Sequence, residues 1–298
     1  MKGRAGPPPS SRSVSPARRR AVEVLREVLE RGGRATPLLA ERGVGLPPAD
    51  HDLFRHLVLG VLRHRAALDS ELAAASRIPL SRLASPLKEI LEVALYQIRH
   101  LDRVPAYAAV DEAVRHARSS GGEGASRLVN AILRNRLREG PLPDVDAVLS
   151  DSAALARRFS HPEFLVARWL PRFGRERTLA LLAADNAPSG LDLMVNPRRT
   201  GREELAGALR KEGVETEDSP LSPLALVVLS GNPLRSPLLP AGHFAVQDAA
   251  SQALPLLLPP GETLVDLAAA PGGKSFAAVA LGRARRVVAL DRSPARLL

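Results

Sequence analysis

The chain has 298 residues, 45% of them hydrophobic, and its 42 Lys and Arg against 32 Asp and Glu leave a formal net charge of +10. That length exceeds one ordinary core and fits two or three domains, while the cationic surplus favours a polyanionic partner, because side chains that neutralise phosphates release condensed counterions. Aromatic residues at 3% argue against stacking bases over a row of rings, and the absence of cysteine excludes a disulfide framework, a thiolate metal site and a thiol nucleophile within these residues.

The chain opens with Lys2, Arg4, Arg12, Arg18, Arg19 and Arg20, interleaved with Pro7, Pro8 and Pro9 and with no acid. It lacks the apolar stretch of a signal peptide, so residues 1–16 are expected to form a disordered basic arm, either a solvated tail or an RNA-contacting one, on a cytoplasmic protein. Apolar runs such as Leu224 to Leu229 fall far short of the roughly 20 residues that span a bilayer, so no membrane partner is expected.

Residues 17–140 read as an all-α domain. Ser15 and Pro16 form a cap and first-turn pair, Val22, Leu25, Val28 and Leu29 recur at helical spacing, and Gly32-Gly33 ends the run. A second amphipathic helix runs from about Pro48 through Leu53, Phe54, Leu57, Val58, Val61 and Leu62. A third opens at Ser85-Pro86 and continues through Leu87, Ile90, Leu91, Ala94, Leu95 and Ile98. Two more cover Ala106 to Ser119 and Ala125 to Glu139, the first closed by Gly121-Gly122. On the last, Arg127, Arg134 and Arg138 share one face opposite Val129, Ile132 and Leu133, either a phosphate-reading stripe or a charged solvated face. The 7 histidines show no metal-ligand spacing, so no metal is expected, and His51, His56 and His64 read as surface or boundary residues.

Pro141 and Pro143 mark a boundary, after which residues 144–240 read as a small α+β linker module. Helices are expected at Ser152 to Arg158, Glu163 to Phe173, Glu176 to Ala184 and Arg202 to Glu212, with strands at Leu191 to Val195 and Leu224 to Leu229. Trp169, beside Arg168 and Arg172, is either a base-stacking residue or a core anchor. Residues 241–298 read as the start of an α/β doubly wound, Rossmann-like domain. Phe244 to Val246 is a short strand, Asp248 caps a helix reaching Leu258, and Pro259-Pro260-Gly261 is a turn. A buried strand from Thr263 to Leu267, a tight loop from Ala268 to Lys274, a helix from Ser275 to Leu281 and a buried strand from Val287 to Asp291 follow.

The chemistry sits in Ala268, Ala269, Ala270, Pro271, Gly272, Gly273 and Lys274. Small residues at the carboxyl end of a parallel strand let a ligand approach the backbone, and the next helix offers it free amides and a positive dipole end. Asp291 ends the neighbouring strand, where an acid can accept both hydroxyls of a ribose. The dinucleotide fingerprint is not matched. A phosphate-binding loop stays open, since Gly273-Lys274-Ser275 ends in its pattern with only Ala268 replacing the first glycine, and so does an unoccupied structural turn.

The loop after Asp266, together with Val287 to Asp291 and the upstream Phe244 to Ser251, resembles the cofactor region of the RNA cytosine-C5 methyltransferases. Val104 to Val114 and Leu128 to Arg134 resemble the NusB-like helical domain found within that family, and His161-Pro162, Arg168-Trp169 and Arg172 to Gly174 resemble the linker after it. The resemblance covers residues 17–298 and implies an S-adenosyl-L-methionine (SAM) cofactor wrapped by Ala268 to Lys274, its ribose held by Asp291, and bacterial 16S rRNA as the RNA partner. Ala268 stands where relatives often have cysteine and Ser275 where they often have threonine. Methylating cytosine C5 requires transient thiolate addition at C6. The family's catalytic cysteines follow the second strand, so no catalytic residue is expected in this chain, which reads as an inactive fragment ending at Leu298. The alternative is a non-catalytic RNA-binding, antitermination-type protein with a remnant methyltransferase segment.

Overall fold

A computed structural model describes residues 14–140, 151–187 and 190–293. Most of the expected arm, the boundary prolines and Leu298 lie outside the described residues. The chain divides into two compact units, residues 1–187 and 188–298. No helix among the described residues is long and apolar enough to cross a membrane.

The first unit is helical: α1 (Pro16–Arg31), α2 (Ala35–Gly43), α3 (Pro48–Ala75), α4 (Leu87–His100), α5 (Ala106–Arg138), α6 (Ser152–Phe159) and α7 (Glu163–Asn186). Gly32 stops α1 in the left-handed conformation, as expected. Ser15 holds the cap position, but its hydroxyl caps nothing; its backbone amide donates to Glu112 Oε1 at 2.6 Å instead. Gly121 and Gly122 break the helical geometry of α5, and Gly174 does the same inside α7. These breaks fall where the glycines separate the two expected helices of each pair.

The core gathers Leu25, Phe54, Leu57, Leu72, Leu91, Leu95 and Leu133, all buried. Gly60 sets how closely α3 meets α4, because a Cβ there would lie 2.0 Å from the Tyr96 ring. Beside this apolar core sit three buried acids that periodicity does not reveal, Glu71, Glu89 and Glu92. Glu71 accepts from Arg136 Nε at 2.7 Å and from Arg99 at 2.8 and 2.9 Å, with the Glu71 and Arg136 side chains only 7% and 3% exposed. Glu92 is fully buried 3.4 Å from Arg65 and 3.6 Å from Lys88. Those cations favour its anion, yet burial and the neighbouring Asp69 outweigh them and push its pKa up to about 8. A proton on Glu92 supplies the donor that Asp69 otherwise lacks on its buried oxygen.

Helices α6 and α7 enclose Leu155, Ala156, Val166 and Leu182, with Trp169 packed on them edge-on to His161, the anchoring alternative for that ring. α6 also packs on α3, where Ser160 Oγ accepts from the Ala67 amide at 3.0 Å.

The second unit contains β1 (Leu191–Val195), α8 (Arg202–Lys211), β2 (Glu215–Asp218), β3 (Ala225–Ser230), β4 (Phe244–Val246), α9 (Ala249–Ala253), β5 (Gly261–Asp266), α10 (Gly273–Ala280) and β6 (Ala284–Ala289). One antiparallel sheet has the order β2-β3-β1-β4, and β5 and β6 form a separate parallel pair. α8 and the sheet bury Leu193, Val195, Leu205, Leu209, Leu226 and Phe244. The strand expected to introduce the third segment, β4, is instead an edge of this four-stranded sheet, pairing Leu193 with Val246 and Val195 with Phe244. The helix expected through Leu258 ends at Ala253 and continues as a 3-10 turn to Leu257, where Pro255 cannot donate to an α-helical ladder.

The parallel pair corrects a second expectation. Both strands read as buried, yet Val265 is 53% exposed, Leu267 76%, Val288 47% and Leu290 48%. Parallel strands are buried when layers cover both faces, and among the described residues β5 and β6 pair only with each other.

Replacing Glu71 with Ala leaves Arg136 buried without its counter-charge and should cost about 3–5 kcal/mol, read from urea unfolding midpoints. Glu92 sets a pH dependence of the opposite kind to an ordinary ion-paired acid. Its folded pKa lies above the free value of 4.5, so the stability its proton confers is full below 4.5 and is lost as pH rises through about 8. Urea midpoints across that window should fall for the parent chain and flatten for Glu92→Gln.

Candidate functional site

The parallel register places Asp266 beside Ala289, so the two strands end together and their outgoing chains share one edge. The crossover is short, and hydrogen bonds fix nearly every turn of it. Asp266 Oδ1 accepts from the Ala268 amide at 3.1 Å, and its Oδ2 accepts from Ser275 Oγ at 2.6 Å. The Ala269 amide donates to Leu290 O at 2.9 Å, and the Leu290 amide returns a bond to Asp266 O at 2.8 Å. Asp291 then reaches across from the second strand. Its Oδ2 accepts from the Ala270 amide at 3.1 Å and its Oδ1 from the Ser293 amide at 2.9 Å.

All eight residues singled out in the sequence, Ala268 to Lys274 and Asp291, therefore lie along one rim. Ala269 is buried, Ala270, Gly272 and Gly273 are half-buried, and Lys274 is exposed. Gly272 has φ +100, a conformation open to glycine, and no atom lies within 4 Å of where its Cβ would stand. Its carbonyl starts α10 by accepting from the Phe276 amide at 2.8 Å, which leaves the first-turn amides without intrahelical acceptors. Small side chains, open space at Gly272, a helix amino end and a carboxylate across the rim suit a ligand combining a carboxylate with a ribose. A triphosphate suits them less well. Ser275 spends its hydroxyl on Asp266, and two carboxylates would face the phosphates.

One further residue meets the rim from the upstream stretch Phe244 to Ser251, just past the strand that ends at Val246. Gln247 packs on Gly273, where a Cβ would meet its amide at 3.3 Å, and Gln247 Oε1 is buried with no hydrogen-bond partner among the described residues. Its role depends on the pairing of β4 with β1, which no local pattern signals.

The arginine stripe lies in the first unit. Arg127, Arg134 and Arg138 are all exposed, opposite buried Val129, Ile132 and Leu133. Arg127 and Arg134 line a groove of about 450 Å³ between the two arms of α5, whereas Arg138 bonds to Asn135 outside it. Arg134 Nε donates to Asn130 Oδ1 at 2.9 Å, and Arg127 has no partner among the described residues. Arg118 also lines the groove but is neutralised by Glu123 at 2.8 Å, and Tyr107 stands 77% exposed at its edge. Tyr107 and Arg118 join the arginines because the break at Gly121 and Gly122 folds the earlier arm alongside.

Comparison with known proteins matches the NusB family over residues 15–138 and the ferredoxin-like domain described as Methyltr_RsmF/B-like over residues 161–235. A protein of Bacillus subtilis named probable ribosomal RNA small subunit methyltransferase B is 33% identical over 77% of this chain and 52% of its own length. Its namesake in Synechocystis is 32% identical over 94% of this chain and 64% of its own length. A solved structure, that of PH0851, aligns with a TM-score of 0.68 and 21% identity over 96% of this chain and 65% of that one, a likeness of fold. The chain therefore carries a NusB-family domain ahead of a Methyltr_RsmF/B-like ferredoxin-like domain, is similar to proteins named ribosomal RNA small subunit methyltransferase B, and spans 52% to 64% of the length of these two relatives.

Proposed function

We propose that the chain carries the RNA-binding part and half of the cofactor site of a SAM-dependent RNA cytosine-C5 methyltransferase that acts on 16S rRNA. The observation that supports this most is the bond from the Ala270 amide to Asp291, which unites the small-residue loop and the strand-end carboxylate in one rim. β5, α10 and β6 are, in this reading, the opening βαβ unit of a doubly wound sheet. Bound SAM supplies a methyl group on an electrophilic sulfonium. Ala268 to Lys274 would wrap its methionine and adenosine parts, with the first-turn amides of α10 toward the anionic end. Asp291 would hold the ribose through its carboxylate oxygens, and Gln247 would brace the loop from behind.

No residue of this chain can add to cytosine C6 as a thiolate, since cysteine is absent from its 298 residues. Its own contribution is to bind and orient, and methyl transfer by this chain alone is not expected. RNA is engaged through the groove on α5, where Arg127 and Arg134 carry guanidinium groups that no acid neutralises among the described residues. A cytoplasmic location accords with an RNA substrate.

Isothermal titration of the chain with SAM tests the cofactor assignment. Binding is expected, weakened about tenfold or more by Asp291→Ala, a loss of about 1.4 kcal/mol or more. Heat that is absent, or unchanged in the variant, sinks that assignment. For the groove, Arg127→Glu with Arg134→Glu should weaken RNA binding and reduce the slope of log K against log salt by about 2. An unaltered slope removes the groove from the RNA interface.

A further inference from the structure

A second concave site lies within the helical unit, away from the α5 groove. It is a cleft of about 420 Å³ walled by α3 and α4 on one side and α6 and α7 on the other. Its polar lining comprises His64 and Glu71 from α3, Arg99 and His100 from α4, Arg158 from α6 and Asn186 from α7. Neither the cofactor loop nor the arginine stripe uses any of them.

The charges in this cleft do not balance. Glu71 is shared by Arg99 and Arg136, so one anion serves two guanidinium groups. The Arg158 side chain is half-buried and has no hydrogen bond or ion pair among the described residues. Asn186 is neutral and brings no counter-charge; its Nδ2 donates to Phe159 O at 2.7 Å. The imidazoles of His64 and His100 stack 4.2 Å apart at 21°, with Tyr96 against His100 at 4.9 Å. A half-buried guanidinium without a counter-ion leaves its charge available to a ligand, and its planar fork matches the oxygens of a phosphate. The volume falls within the range of small-ligand sites, about 300–1,000 Å³.

We infer that this cleft is a phosphate-binding site, with Arg158 as its principal contact and His64 and His100 as hydrogen-bond donors to the same group. The phosphate is either a backbone phosphodiester of RNA or a free phosphate; the assignment does not depend on the cofactor loop or the α5 groove. Binding of such an anion has a measurable signature. Burial holds both imidazoles neutral, lowering His64 to about 4 with help from His100 and Arg63, and lowering His100 against the pull of Glu71 with help from Arg99 and His56. Arg158 on α6 and Arg136 on α5 add to the cationic surroundings, and α7 contributes no charge to the lining. A phosphate in the cleft opposes these influences by favouring each imidazolium, so both histidine pKa values must rise when it binds.

The test is a histidine-resolved NMR pH titration of the whole chain in chloride, in inorganic phosphate and with a short RNA oligonucleotide, all at matched ionic strength. The expected result is a His64 midpoint raised by about one unit, a tenfold gain in proton affinity, by at least one phosphate source. Arg158→Gln should abolish the shift and Arg158→Lys should keep part of it, with the folded amide spectrum retained in both. A shift with both additives supports a site for any phosphate, a shift with the oligonucleotide alone identifies RNA as the source, and a shift with inorganic phosphate alone identifies a free phosphate. Equal midpoints in all three solutions, or a shift that survives Arg158→Gln, overturn the inference.

Discussion

Two carboxylates at the ends of adjacent parallel strands fix the loop of small residues that runs between them. Asp266 ties the start of the loop to α10 through Ala268 and Ser275, and Asp291 ties its middle to the second strand through Ala270. A segment of alanine and glycine has almost no side chain with which to hold its own shape. Anchoring by flanking acids solves that problem while leaving the face of the loop clear, so a ligand meets backbone rather than bulk. The same anchoring places two carboxylates at the rim and engages the Ser275 hydroxyl, an arrangement that suits a metal-bound triphosphate poorly.

The helical unit handles charge differently. Glu71 and Glu92 sit within a largely apolar interior, one neutralised by guanidinium groups and the other raised toward its protonated form by burial and Asp69. Buried pairs of this kind add little net stability compared with apolar side chains, but losing one member is expensive. They tie α3 to α4 and α5 at fixed points, which steadies the walls of both the α5 groove and the histidine-lined cleft.

Much of the fold could be read from local pattern. Val22, Leu25, Val28 and Leu29 mark α1, the glycine pair at 121 and 122 marks the break in α5, and the β1 bounds Leu191 to Val195 agree with the structure. Where local pattern is weak, tertiary pairing decides the structure. β2 consists of Glu215, Thr216, Glu217 and Asp218, which looks like loop and becomes a strand because β3 supplies its hydrogen bonds. α2 is short and only faintly amphipathic. The site divides in the same way: Ala268 to Lys274 and Asp291 carry their chemistry in their residue types, whereas Gln247 against Gly273, Arg136 against Glu71 and His64 against His100 join residues remote in sequence. Tertiary pairing creates such contacts, and no window of neighbouring residues records them.

The pairing of β4 with β1 has a consequence for how this protein can be dissected. Asp192, within β1, accepts from the Ala249 amide at 2.7 Å, and Gln252 bonds back to Leu193 at 3.3 Å and to Gln247 at 2.9 Å. The platform beneath the Ala268 to Lys274 loop is thus built partly from the antiparallel sheet, and a cut near Gly242, where the sequence changes character, would sever it. An autonomous piece carrying that loop has to begin ahead of Leu191, which makes the two modules one inheritable block rather than exchangeable parts.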